Sequence, residues 1–109
     1  MGWNKYGAKK TTVNGIVFAS KHEAERWLEL CLMANAGVIE NLQRQVKFEI
    51  LPKTDKYRAR HYIADFVYRE NGRLVVEDAK GCRRGAAYQI FRLKQAMMYS
   101  RYGIEVKEV

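Results

Sequence analysis

The sequence predicts an α/β fold, a mixed β-sheet flanked by helices in the order helix, three strands, helix, strand. Three observations lead there. Residues 21–36 and 86–102 carry apolar side chains at helical spacing, with glycines suited to end a helix just beyond them at Gly37 and Gly103. Two segments rich in aromatic and β-branched residues, His61–Arg69 and Arg73–Lys80, flank a turn at Asn71-Gly72, the dipeptide favoured by two-residue hairpins. The chain has 109 residues, 48% of them hydrophobic, which suits one core and not two.

Each element has its own local reason. Met1–Thr12 (MGWNKYGAKKTT) is basic and aperiodic and reads as an arm, leaving 13–109 as the domain. Val13–Phe18 is short and reads as a turn or small strand around Asn14-Gly15. Ser20 is a good N-cap and Glu23 follows three residues later, the spacing of a capping box, so a helix should run to about Ala36. Val46–Leu51 alternates weakly, is closed by Pro52, and reads as a strand; Lys53–Arg60 (KTDKYRAR) reads as a basic loop. The two segments around Asn71-Gly72 form a hairpin, and Gly81–Gly85 (GCRRG) is a basic turn. Ala86–Tyr102 is helical and Ile104–Val109 is a last strand. There is no internal repeat.

Charge narrows the function classes. Lys and Arg number 20 against 12 acids, giving +8 and a pI near 9.7. Such a domain suits a polyanion, because each phosphate it neutralises releases condensed counterions. Cys31 and Cys82 stand alone, which argues against a zinc site, and Cys31 falls in an apolar helical pattern that reads as core. No apolar run approaches membrane-spanning length, and no signal peptide is evident, so the expectation is a cytoplasmic protein with no membrane partner, or one acting in the cytoplasm of a host.

Candidate chemistry lies in the acids that point inward. In a strand, side chains alternate between faces. Leu74, Val76, Asp78 and Lys80 should therefore share one face, and Arg73, Val75, Glu77 and Ala79 the other. In the preceding strand Ile63, Asp65 and Val67 should share a face, and antiparallel pairing brings Asp65 near Asp78 if the register puts both on the same side of the sheet. On the first helix, Ala24, Trp27, Leu28, Leu30, Cys31, Leu32 and Ala34 span an apolar arc. Glu23 falls inside that arc, while Glu25 and Glu29 face solvent. A carboxylate on the buried side of a helix is costly unless paired. The alternatives are structural: a capping-box side chain for Glu23, a polar residue on a half-exposed strand or a partner of a nearby Arg for Asp65, and a same-face ion pair for Asp78 and Lys80. Carboxylates without His or Cys suit a hard cation, and Mg²⁺ is the natural choice, with Mn²⁺ able to substitute.

These residues carry a resemblance. Ala64-Asp65, a thirteen-residue step, then Asp78-Ala79-Lys80 resembles the PD-(D/E)xK nuclease signature, with Ala64 in place of the proline and Asp78 in place of the more frequent Glu. The element order is similar to that superfamily's core, and Glu23 resembles the extra helical acid of many members. More closely, the chain resembles a family of small phage-encoded proteins through Phe18-x-Ser20-Lys21-x-Glu23-Ala24-Glu25, Tyr62-Ile63-Ala64-Asp65-Phe66 and Val76-Glu77-Asp78-x-Lys80-Gly81. That family is similar to Holliday-junction resolvases of the RecU and archaeal Hjc type. The resemblance implies a restriction-endonuclease-like core and a Mg²⁺-dependent DNA endonuclease selective for branched DNA. It implies Asp65, Asp78 and Glu23 as metal ligands, Lys80 as catalytic lysine, and a homodimer. A restriction- or transposase-like nuclease on linear duplex, and a non-catalytic DNA-binding module, are the competing readings.

For DNA contacts the candidates are Arg83 and Arg84, the loop residues Lys53, Lys56, Arg58 and Arg60, and Lys5, Lys9 and Lys10 of the arm. Gln89, Arg92 and Lys94 on the second helix are further candidates. Tyr88, Phe91 and Tyr99 should pack on the sheet, and His22 and His61 read as structural.

Overall fold

The computed structural model describes residues 10–109. Both Asn-Gly pairs make tight turns. Asn14 and Gly15 lie at φ 51° and 79°, and Asn71 and Gly72 at 52° and 77°, the left-handed pair that a type I′ turn requires. The first folds β1 (Thr11–Val13) onto β2 (Ile16–Phe18) as a two-stranded sheet. Thr11 and Thr12 thus belong to a hairpin rather than to an arm. The second joins β4 (Arg60–Glu70) to β5 (Arg73–Asp78).

Helix α1 (Lys21–Asn35) begins as its sequence dictates, with the Glu23 amide donating to Ser20 Oγ at 3.1 Å. Ala36 caps its far end, and Gly37 lies one residue beyond. Its buried stripe is narrower than the apolar arc suggested. Leu28 is 42% and Leu32 70% exposed, because the α1 side chains that pack with the sheet are those of Trp27, Leu30, Met33 and Ala34. Cys31, expected in the core, is only half-buried for the same reason.

The remaining elements are β3 (Glu40–Leu51), α2 (Ala86–Tyr102) and β6 (Lys107–Glu108). The large sheet has the order β3-β4-β5-β6, with β6 parallel to β5 and the other pairs antiparallel. β3 starts six residues before the expected Val46, because its polar half, Glu40–Gln45, is held by the ladder to β4 and leaves no apolar alternation to read. β6 is shorter than expected, since Ile104 and Val106 pack against the α2-side core instead of joining the ladder.

The helices cover opposite faces. Val67 and Val76 pack with Phe91 and Met98 of α2, whereas Phe66 and Tyr68 pack with Leu30 of α1. Tyr88 and Phe91 lie against the sheet as expected, but Tyr99 is 63% exposed, on the far side of α2. Among the described residues no helix is long and apolar enough to cross a membrane.

A buried ion pair fastens α1 to β5. Glu77 is 0% exposed. Arg26 grips it with two donors, Nε to Oε1 at 2.9 Å and Nη2 to Oε2 at 2.7 Å, and the Tyr68 hydroxyl donates to the same carboxylate. Burial alone pushes the Glu77 carboxyl up, but the Arg26 and Tyr68 hydrogen bonds outweigh it and hold it below its ordinary value. The Glu77 contact in turn raises the Arg26 guanidinium. Removing Arg26 strands the Glu77 charge in the interior, and removing Glu77 leaves the half-buried Arg26 guanidinium with Glu29 alone. Arg26→Ala and Glu77→Ala are each expected to cost about 3–5 kcal/mol in denaturant unfolding, and an apolar double replacement, Arg26→Met with Glu77→Leu, less than either.

Candidate functional site

The site begins with the ladder between β4 and β5. Phe66 pairs with Glu77 and Val67 with Val76, so the next step toward the start of β4 sets Asp65 across from Asp78. There the regular ladder stops. The Ala79 amide donates to Asp65 Oδ2 at 2.9 Å, a side chain taking the place of a backbone acceptor. On its other side Asp65 Oδ1 accepts from Gln45 Nε2 at 3.2 Å. Gln45 has a φ of 52°, a left-handed conformation that costs free energy at a residue other than glycine. Alternation slips at the same point. Tyr62, Ala64 and Val67 join one core cluster while Ile63 stays exposed, so the expected common face of Ile63, Asp65 and Val67 does not hold.

Asp78 is 5% exposed and both its oxygens are engaged. The Tyr62 hydroxyl donates to Oδ2 at 2.6 Å, and Lys80 Nζ lies 3.0 Å from Oδ1. Lys80 stands past the end of β5, which closes at Asp78 rather than at Lys80. Its ammonium sits 4.0 Å from the centroid of the Phe91 ring. Asp78, Lys80 and Tyr62 border a shallow cavity of about 280 Å³, flanked by His61 and Lys94.

Glu23 is 5% exposed, and its Oε1 accepts from the Ala19 amide at 3.1 Å. The fold-back expected of a capping box is therefore present, one residue upstream of the N-cap. Its charge also reaches Asp65. Burial and the neighbouring Asp78, with a smaller push from Glu23, raise the Asp65 carboxyl to about 7, against the lowering effect of the Ala79 amide. Burial and the Asp78 charge likewise raise the Tyr62 hydroxyl.

Of the four expected site residues, Asp65, Asp78 and Lys80 thus assemble directly, and Glu23 approaches from the α1 side. Among the described residues no three His, Cys, Asp or Glu side chains converge as a metal-ligating group. Reading the sequence missed Tyr62, Gln45 and Arg26. A tyrosine at Tyr62 inside an otherwise apolar strand face, and an arginine three residues past Glu23 at the edge of the apolar arc, were the available signals.

The basic candidates gather by topology. β3 ends, β4 begins and β5 ends on one side of the sheet, so Lys53, Lys56, Arg58, Arg60, Arg83 and Arg84 lie at the end where Asp78 sits, and all are exposed. Arg83 Nε is 3.7 Å from Glu108 Oε1. Lys10, Gln89 and Arg92 are exposed too, while Lys5 and Lys9 fall outside the described residues. His22 Nε2 lies 2.8 Å from the Val109 carbonyl, the structural role expected of it.

A family model described as "Protein of unknown function (DUF1064)" matches residues 3–108. The chain belongs to the DUF1064 family. No curated protein and no solved structure matches it. All the residues that form the carboxylate site in this DUF1064 protein lie inside the matched span.

The raised Asp65 carboxyl gives a signed pH dependence. Its folded-state pKa, about 7, exceeds the unfolded value, so the folded state holds the proton more tightly and stability falls as pH rises from about 4 to about 7. Asp65→Asn, neutral throughout, removes that penalty. In cation-free buffer the melting temperature of the variant is expected to rise above that of the parent across this window and keep a constant lead above pH ~7. Equal melting curves at pH 5 and pH 8 would contradict it.

Proposed function

We propose that this chain is a Mg²⁺-dependent endonuclease that hydrolyses DNA phosphodiester bonds, built on a restriction-endonuclease-like core. The observation that carries the reading is the juxtaposition of Asp65 and Asp78 across β4 and β5, with Lys80 Nζ 3.0 Å from Asp78. The donor set fits the cation. It consists of carboxylate oxygens alone, and Mg²⁺ is commonly held by one or two carboxylates while keeping several waters, so two acids meet its demand without a third direct ligand. The mutual repulsion at Asp65 is what a cation between the acids relieves. Asp65 and Asp78 would hold Mg²⁺, or Mn²⁺ in its place, with Glu23 behind Asp65.

A divalent cation there supplies positive charge that stabilises the transition state and eases ionisation of the attacking water. The chain's own groups do the rest. Tyr62 fixes one Asp78 oxygen and so sets the orientation of the carboxylate. Lys80 Nζ, resting on Phe91, can orient the attacking water or meet the charge that builds on the phosphate. The basic end of the sheet holds the DNA backbone. Similarity to the resolvases adds the substrate, branched DNA with the four-way junction foremost, and a homodimer that presents two sites to opposed strands.

One observation favours a second reading. Every acid of the site already has an intramolecular partner: Ala19 for Glu23, Ala79 and Gln45 for Asp65, Tyr62 and Lys80 for Asp78. A non-catalytic DNA-binding module would need no more.

Cleavage of labelled linear, forked and four-way DNA separates these readings. The expected result is Mg²⁺-dependent cutting, fastest on the four-way junction and abolished by chelation. Asp65→Ala, Asp78→Ala and Lys80→Ala are each expected to lower the rate about 100-fold or more. Salt-sensitive binding without cutting would establish the binding module, and a preference for plain duplex would remove the junction assignment.

A further inference from the structure

Arg44 lies on β3 and pairs across the ladder with Phe66. Its guanidinium carbon is 4.5 Å from the centroid of the Phe18 ring and 5.7 Å from that of Trp27. Its Nε is buried and, among the described residues, is the sole buried side-chain nitrogen or oxygen without a hydrogen-bond partner. Nor does Arg44 form an ion pair among those residues. Residues 1–9 contain no Asp or Glu, so that segment has no carboxylate to neutralise it. A buried donor left unsatisfied is costly, and more so when charged. Stacking on aromatic faces returns only part of that cost.

The neighbours of Arg44 indicate what completes it. Gln45, next in the chain, bonds Asp65; Phe66, opposite, adjoins Asp65. Phe18 adjoins Ala19, whose amide bonds Glu23, and Trp27 lies one turn along α1 from Glu23. Arg44 thus shares the α1 face with Phe18 and Trp27, the neighbours of Glu23, while Asp65 is its neighbour only through the strand ladder. Arg44 stands opposite in placement to Lys80, which serves Asp78 on the α2 side.

We propose that Arg44 is a phosphate-binding residue for DNA at the rim of the carboxylate site. This rests on the nuclease reading. Two aromatic rings hold the guanidinium plane before the substrate arrives, so little rotamer freedom is lost on binding, and its fork matches two oxygens of one phosphate. Lysine keeps the charge without the fork.

The test measures binding of a labelled four-way junction as a function of salt, with Asp78→Asn as the uncleaving parent in every arm. Adding Arg44→Met, which keeps bulk between the two rings, is expected to weaken binding about tenfold and reduce the salt slope by about 1. Its melting temperature without DNA should equal or exceed that of the parent, because an unpartnered charge has gone. Arg44→Lys should keep the slope and still lose affinity. Unchanged affinity and slope in Arg44→Met, with a lower melting temperature, would make Arg44 a structural residue and overturn the proposal. Parent-like affinity in Arg44→Lys would overturn the forked contact. Absence of salt-dependent binding in the parent itself would sink the DNA reading first, and this proposal with it.

Discussion

Two consecutive acids end β5, and both are almost wholly buried, back to back. Strand alternation sends Glu77 toward α1 and Asp78 toward α2. A buried carboxylate is tolerable only when something satisfies it. Glu77 is satisfied by the Arg26 fork and Tyr68, and that contact fixes where α1 crosses the sheet. Asp78 is satisfied by Tyr62 and Lys80, and the lysine is laid against Phe91 of α2. One dipeptide therefore registers both helices against the sheet. Glu23 stands one turn ahead of Arg26, so the same pairing that anchors α1 carries Glu23 toward Asp65.

The charges left over are as informative as the pairs. Glu23 and Asp65 form no ion pair among the described residues; their partners are backbone amides and Gln45. Burial first, then the Asp78 charge and to a smaller extent Glu23, raise the Asp65 carboxyl, so its ionised form costs stability. The left-handed backbone at Gln45 adds a local cost at the same place. Arg44 is the converse, a half-buried cation stacked on Phe18 and Trp27 with no anion of its own among the described residues. Local rules are broken here within an otherwise well-paired fold, and the proposed function rests on that contrast.

What could be read in the residues was local. The helix start at Ser20 and Glu23, the Asn71-Gly72 turn and the helix stop at Gly103 each depend on chemistry within a few positions, and each appears where expected. Asp65 and Asp78 could be brought together on paper because a two-residue turn leaves little freedom in hairpin register. The long polar start of β3 could not be foreseen, since its ladder partner lies some twenty-five residues away. The exposure of Leu28 and Leu32 depended on which stripe of α1 packs with the sheet, which no helical projection contains.

By itself the sequence determined the element order, the hairpin and the presence of inward acids, because period and turn preference act between near neighbours. Only the tertiary structure decided which cation serves which acid. Arg26 lies fifty-one positions from Glu77, and Tyr62 sixteen from Asp78. Such pairs form because burial makes a lone charge expensive, and burial belongs to the folded whole.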